Sequence, residues 1–273
     1  MLPNDTVESQ CRVTNLRGTK SPNISEKSSV CENSKGIMED LPLILGVGTA
    51  LSAGAFSWGA FAPASQLFGR TLRRTGDDST LALTFDDGPN PTITPRLLDL
   101  LDRHDVKATF FLIGAWVRTA PGIAREIAAR GHAIGNHTYT HPWLTFCGEW
   151  RTRVELNRCD EAIESATGKK PSWMRPPFGF RSPILNGIVR ARRGAGVAMW
   201  SKWLSDWKPQ PASSVIQRLT TARGGDILLL HDGDHRVPNG DRQHTMDAVG
   251  HWLPRWKDAG LRFVTLDDLR ERA

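Results

Sequence analysis

Hydrophobic and polar positions divide the chain into three stretches. Residues 1–40 are polar, with Ser, Asn, Lys and Glu interspersed and no apolar period. Such a composition cannot bury enough apolar surface to offset chain entropy and predicts a disordered leader. From Leu41 to Gly69 there is no charged residue. The centre of this stretch, LPLILGVGTALSAGAFSWGAFA, approaches the ~20 residues of a membrane-spanning helix, though it is rich in Gly and Ala. Three readings stay open for it: a membrane anchor, a secretory signal with a small-residue cleavage site at Ala60-Phe61-Ala62, or a buried helix.

After Asp78 short apolar runs alternate with amphipathic stretches. LALTF (81–85) stops at Asp-Asp-Gly-Pro. A helical pattern follows with Leu97, Leu98, Leu100 and Leu101, for which Thr94 is the expected N-cap and Pro95 the first helical residue. KATFFLI (107–113) reads as a buried strand, 121–130 as a helix stopped by Gly131, HAIGN (132–136) as a short strand and 150–166 as a helix ended by Gly168. Strands near 172–175, 197–200, 226–231 and 261–266 then alternate with helices near 182–193, 212–222 and 243–259. About seven strands alternating with helices imply parallel pairing with helical crossovers. The expected fold is therefore α/β, a distorted (β/α) barrel whose reactive residues stand on loops at the C-terminal strand ends.

Composition narrows the function classes. With 39% hydrophobic and 23% charged residues, most of the chain is an ordinary globular protein. The net charge of +6 comes from scattered basic residues, apart from Arg70, Arg73 and Arg74. Without a basic helix or an aromatic stacking motif, it reads as a solvated surface and no nucleic-acid partner is expected. Cys11, Cys31, Cys147 and Cys159 form no C-x-x-C pair, so a thiolate metal site is not indicated. Cys147 and Cys159 could be disulfide-bonded or remain free thiols.

Polar, reactive residues appear where each apolar run stops: Asp86 and Asp87, His137 and His141, Arg175, Asp206 and Trp207, His231 and Asp232. His137-Thr-Tyr-Thr-His141 is an i, i+4 pair, whose rings would share one face of a helical turn. That spacing suits two imidazoles on one divalent ion, or two ordinary polar loop residues. A carboxylate from another strand end would complete three ligands and leave a position open for water, as catalytic zinc requires. Asp86 and Asp87 are adjacent and repel, so a partner charge is expected near one of them: a metal would serve Asp87, and Arg175 could serve Asp86. One carboxylate as ligand and one as base would permit metal-assisted hydrolysis. A plain turn role for Asp-Asp-Gly-Pro is the competing reading.

Together, Thr84-Phe85-Asp86-Asp87-Gly88-Pro89, His137-Thr-Tyr-Thr-His141, Arg175-Pro176-Pro177-Phe178-Gly179, Asp206-Trp207 and Leu229-Leu230-His231-Asp232 resemble, in order and spacing, the five motifs of the polysaccharide deacetylases, or NodB-homology family. The resemblance runs from about Asp78 to Leu269. It implies that Asp86 is the catalytic base, that Asp87, His137 and His141 hold one divalent ion, and that Arg175 positions the base. Two imidazoles and a carboxylate suit Zn2+ but also Co2+, Ni2+ or Mn2+. His231 resembles the general acid and Asp206 the carboxylate that orients it. The Phe178 backbone N–H resembles an oxyanion donor, and Trp207 and Leu229 resemble the lining of the acetyl pocket. Phe178 stands where the family often has tyrosine, and Trp203 where it commonly has an acidic residue, which implies an altered substrate preference.

The implied activity is removal of N-acetyl groups from an amino-sugar polymer or oligomer of peptidoglycan or chitin type. Two other readings are the same fold acting on a non-sugar amide or imide, and a catalytically silent glycan-binding module. The silent module would need a missing base, acid or ligand, and none is missing. The expected organisation is a leader (1–40), a membrane anchor or signal (41–64) that brings membrane association, and a catalytic domain (78–269). That domain is expected outside the cytoplasm, membrane-anchored or secreted. The flanking charges, Glu39 and Asp40 before the apolar segment and the arginines after it, argue for the opposite orientation.

Overall fold

The computed structural model describes residues 46–192 and 195–270. The polar leader and the start of the apolar segment lie outside them, as do Cys11 and Cys31. Residues 46–61 are helical (α1). Among the described residues no helix is long and apolar enough to cross a membrane. One compact unit runs from Gly54 onward and carries all the motif residues.

The strands are β1 (Thr80–Gly88), β2 (Thr109–Leu112), β3 (Ala133–Asn136), β4 (Trp173–Met174), β5 (Gly196–Val197), β6 (Lys202–Trp203), β7 (Ile227–His231) and β8 (Arg262–Phe263). Between and after them lie α2 (Thr94–Arg103), α3 (Gly114–Thr119), α4 (Pro121–Ala129), α5 (Glu149–Thr167), α6 (Leu185–Arg190), α7 (Ala212–Leu219), α8 (Gln243–Asp258) and α9 (Leu266–Arg270). Every pairing between these strands is parallel, in the order β5-β4-β3-β2-β1-β7-β6, with β8 joining the start of β1. The sheet is a curled half-barrel, as the alternation of strands and helices predicts.

β1 lies at the centre and is buried at all nine positions. Its residues alternate between two environments, as side chains on a strand must. Leu81, Leu83 and Phe85 join Phe110, Leu112, Leu228 and Leu230 in the core beneath the helices. Phe85 stacks on Phe110 with ring centroids 5.2 Å apart. The intervening positions, Ala82, Thr84 and Asp86, belong to the other face, with Phe111 and Ile227 nearby. The amphipathic helices cover the sheet with Leu97, Leu98 and Leu101 from α2, Ile163 from α5 and Leu253 from α8.

Several details differ from the sequence expectation. Thr94 is the first residue of α2 and does not cap it. Its hydroxyl accepts the Asn90 N–H at 2.8 Å and donates to Asp232, while Asn90 Oδ1 accepts the N–H groups of Thr92 and Ile93. Thr94 lies one position inside the helix, and its acceptor oxygen is taken by the Asn90 N–H rather than by an N–H of the first turn. The helix expected over 182–193 is limited to α6, and α3 and β6 are too short for periodicity to reveal. Cys147 and Cys159 are free thiols, and burial pushes the Cys159 thiol up to about 12.

Gly135 in β3 has no room for a side chain, because a Cβ there would collide with the buried ring of Phe111 on β2. Gly135→Ala is expected to destabilise the domain by about 1–3 kcal/mol, as overpacking does. The check is a lower urea midpoint at unchanged m-value.

Candidate active site

The site sits at the C-terminal ends of the strands. Neighbouring residues on a strand normally point to opposite faces, yet Asp86 and Asp87 both line one cleft. The pairing explains this: Asp86 is opposite Phe111 and Gly88 opposite Leu112, so the register breaks at Asp87. Asp87 takes φ 71°, a left-handed conformation that turns its carboxylate back beside that of Asp86.

Asp87, His137 and His141 converge as the sequence predicted. Asp87 Oδ1 lies 3.4 Å from His137 Nε2 and 3.2 Å from His141 Nε2, and all three side chains are buried. The histidines, however, are not on a helical turn. Thr138 (φ 67°) and His141 (φ 58°) bend the loop after β3, and the loop is pinned from outside. Glu155 on α5 accepts the N–H groups of Tyr139 and Thr140 and the Thr140 hydroxyl. His137 Nδ1 is 2.8 Å from the Arg175 carbonyl, which fixes Nδ1 as a donor and leaves the Nε2 lone pair facing Asp87.

The donor set fits a divalent cation. Asp87 Oδ1 is buried with no hydrogen-bond partner, and the three ligand atoms lie within 4.8 Å of one another. Burial by itself raises the Asp87 pKa, but the surrounding imidazoles, His141 first, hold it well below the usual carboxylate range. Burial lowers His141 to about 3, so its imidazole is neutral. An anionic carboxylate and neutral imidazoles are the protonation states that a metal demands.

Asp86 is held differently. Arg175, fully buried at the end of β4, donates to Asp86 Oδ1 at 2.8 Å and to the Thr84 hydroxyl at 2.7 Å. Its remaining nitrogens reach the carbonyls of Ala198 and Met199, and its guanidinium lies 4.2 Å above the Phe111 ring. Asp86 Oδ2 stays 3.7 Å from His137 Nε2, beside the proposed metal position.

His231, at the end of β7, donates through Nδ1 to Asp206 Oδ1 at 2.9 Å. Asp206 is fully buried. Its Oδ2 accepts the His231 N–H and the Thr245 hydroxyl, and its carbonyl meets His244 Nε2 at 2.6 Å. Burial works against a charged His231, but Asp206 outweighs it, aided by Asp87 and Asp86, and the imidazole rises to about 9. Phe178 (φ 59°), Trp207 and Leu229 line the same cleft of about 400 Å³. Trp203 lies there too, more than half exposed.

One residue at the site, His235, was not singled out from sequence, and another, Asp232, was named at the end of its strand without a role. His235 stacks on His141, with centroids 4.4 Å apart, and its Nδ1 is 3.7 Å from Asp87 Oδ2. Its neighbour Asp234 anchors this loop through Arg242 and the Arg236 N–H. The available signal was a histidine four residues after His231, in a strand-end loop. Asp232 is buried, and burial lifts its pKa to about 7. It accepts from Thr94 and packs against Gly88, where a Cβ would come within 2.5 Å of Asp232 Oδ2. It thereby ties the loop after β7 to the loop after β1.

Comparison with known proteins agrees with this arrangement. Residues 73–198 match the family model described as polysaccharide deacetylase. A peptidoglycan-N-acetylglucosamine deacetylase of Bacillus cereus is 37% identical over 192 residues, covering 69% of this chain and 67% of that protein. A chitooligosaccharide deacetylase of Sinorhizobium fredii is 36% identical over 202 residues, covering 70% and 93%. Among solved structures, the Bc1960 peptidoglycan N-acetylglucosamine deacetylase in complex with a naphthalenyl N-oxidanyl-benzamide superposes with a TM-score of 0.64. It is 35% identical, and the match covers 70% of this chain and 88% of that one.

The His231–Asp206 pair sets a pH dependence. A histidine raised from 6.5 to about 9 contributes stability that is complete below pH 6.5 and disappears as pH rises through 9. Asp206→Asn should remove most of it. The variant is expected to lose stability at pH 6 and to differ less from the wild type at pH 10. NMR titration of the His231 ring should show its pKa falling from about 9.

Proposed function

The chain belongs to the polysaccharide deacetylase family, hydrolases of carbon–nitrogen bonds other than peptide bonds, and on that premise we propose that it removes N-acetyl groups from amino sugars in a peptidoglycan- or chitin-type glycan. The observation that carries the reading is the convergence, in one cleft, of the Asp87–His137–His141 group, whose Asp87 Oδ1 has no hydrogen-bond partner, with the Asp86–Arg175 and His231–Asp206 pairs. Asp87, His137 and His141 would hold a divalent ion, most simply Zn2+, with Co2+, Ni2+ or Mn2+ able to use the same donors. When bound, that ion would supply Lewis acidity, lowering the pKa of water to about 7 and polarising a carbonyl.

The protein's own groups divide the remaining work. Asp86 accepts a proton from the water that attacks the acetamide carbonyl. Arg175 holds the Asp86 carboxylate at a fixed angle and keeps it from swinging toward the ligands. The Phe178 backbone N–H serves as a donor to the developing oxyanion. His231, protonated at neutral pH, gives its Nε2 proton to the departing amine, which must leave neutral. Asp206 keeps Nδ1 protonated and the ring oriented. Trp207 and Leu229 form apolar walls for the acetyl methyl.

The relatives named for peptidoglycan and chitooligosaccharides support a glycan substrate and a place outside the cytoplasm. Membrane association would come from residues 41–64. A second reading, turnover of a non-sugar amide or imide, is favoured by one observation: Trp203 brings an indole to the cleft, at the position where the family resemblance implies an acid. Release of ammonia or amine from such compounds, with acetylated glycans inert, would select it.

The test uses metal-reconstituted protein and a panel of acetylated glucosamine oligomers and peptidoglycan, assayed for acetate. Asp86→Asn is expected to lower turnover roughly 10²–10⁴-fold, the span of general-base catalysis, while bound metal stays at the wild-type ratio. His141→Ala should lose metal and activity together. No acetate from any glycan with any of the four metals would overturn the proposal.

A further inference from the structure

The family match begins at residue 73, yet the cleft is lined in part by residues that precede it: Phe61 and Pro63. Phe61 ends α1, and Pro63 lies on the chain that leaves it. This segment is fastened to the catalytic fold. Arg181 is fully buried, and its Nη2 donates to the carbonyls of Gly59, Ala62 and Ser65, the last at 2.7 Å. The Arg181 backbone N–H donates to the Ala60 carbonyl at 3.0 Å. Gly59, Ala60 and Ser65 are buried, whereas Phe61 is 40% exposed. An arginine that uses one nitrogen to gather three carbonyls is a clamp on the backbone, and the clamp leaves the Phe61 ring at the cleft surface.

Aromatic rings run without a break from the proposed metal ligands to this residue. His141 meets Phe178 edge-on at 4.6 Å, Phe178 lies 6.0 Å from Phe180, and Phe180 meets Phe61 edge-on at 5.0 Å. Trp143 packs beside both Phe178 and Phe180. Pyranose rings carry apolar C–H faces, and partly exposed aromatic rings suit them. A track that starts at the reacting centre and ends on a separate segment is longer than one acetamide requires.

We propose that Phe61 is a specificity-determining residue: residues 59–65, clamped by Arg181, form an outlying sugar subsite that binds a ring of the glycan other than the one losing its acetyl group. This rests on the glycan reading above. It also predicts that residues 59–65 stay in the working protein. Cleavage at Ala60–Ala62 would remove carbonyl acceptors from Arg181 and take away the Phe61 wall.

Binding of N-acetylglucosamine tetramer and monomer to the full chain in an Asp86→Asn background, by calorimetry, separates this proposal from the catalytic one, because no turnover is needed. Phe61→Ala is expected to weaken tetramer binding roughly three- to tenfold, the range of one aromatic contact. Monomer binding should not change, and Phe61→Trp should restore the tetramer. With Asp86 intact, KM for the tetramer should rise while kcat holds. Equal affinity of wild type and Phe61→Ala for the tetramer, at unchanged thermal midpoint, would overturn the inference. So would equal weakening of monomer and tetramer. If Phe61→Ala instead lowers retention on phosphatidylglycerol vesicles and leaves tetramer binding intact, the segment faces a membrane and the subsite is refuted. Tetramer binding that depends on Phe61 in a protein that releases no acetate would leave the subsite standing and the deacetylase reading overturned.

Discussion

The ion pair between Arg175 and Asp86 is the constraint around which the rest is arranged. Both partners are buried, and a buried charge left alone costs several kcal/mol, so neither is tolerated without the other. The guanidinium also reaches Thr84 on β1 and the carbonyls of Ala198 and Met199 beyond β5, and its plane covers Phe111 on β2. One side chain therefore spans the open interior of the half-barrel and draws its strands together. The same residue's carbonyl accepts from His137 and selects the tautomer that exposes Nε2. Base orientation and ligand orientation consequently have a common origin. A change that moves β4 disturbs both.

Much of this was legible in the sequence, for a specific reason. β1 and β7 are continuous apolar runs because they are buried on both faces, and each ends abruptly in charged residues. The stop marks the strand end, and the parallel topology puts all such ends on one rim. Asp86, Asp87, His137, His141, Arg175, Asp206 and His231 could thus be gathered without coordinates. What the pattern could not convey was how two successive aspartates share a cleft, or how two histidines converge without a helix. Both depend on left-handed residues at Asp87, Thr138 and His141, where a bulge and a loop are stabilised by contacts distant in sequence. Thr94 differs from the expected cap because the helix begins at it: its oxygen accepts from Asn90 and its proton goes to Asp232, 138 positions away.

The basic cluster after the apolar segment also has a different meaning in three dimensions. Arg74 pairs with the buried Asp226 at 3.2 Å and forms an isolated antiparallel bridge with it. A charge used inside the domain is a poor witness to membrane orientation. The flanking-charge argument against an extracytoplasmic domain loses one of its three arginines on this ground.

Five of the six non-glycine residues with positive φ among the described residues stand around the cleft: Asp87, Thr138, His141, Phe178 and Ser205. Each holds a conformation that costs an L-residue about 1 kcal/mol or more. Glycine would relieve that cost at any of them, and at two, Asp87 and His141, it would delete a side chain assigned to the chemistry. Selection for heat resistance and selection for turnover therefore pull in opposite directions at the same codons. A library sorted only for soluble, stable protein would accumulate inert molecules there first, and the places where such a library refuses to improve would trace the outline of the cleft.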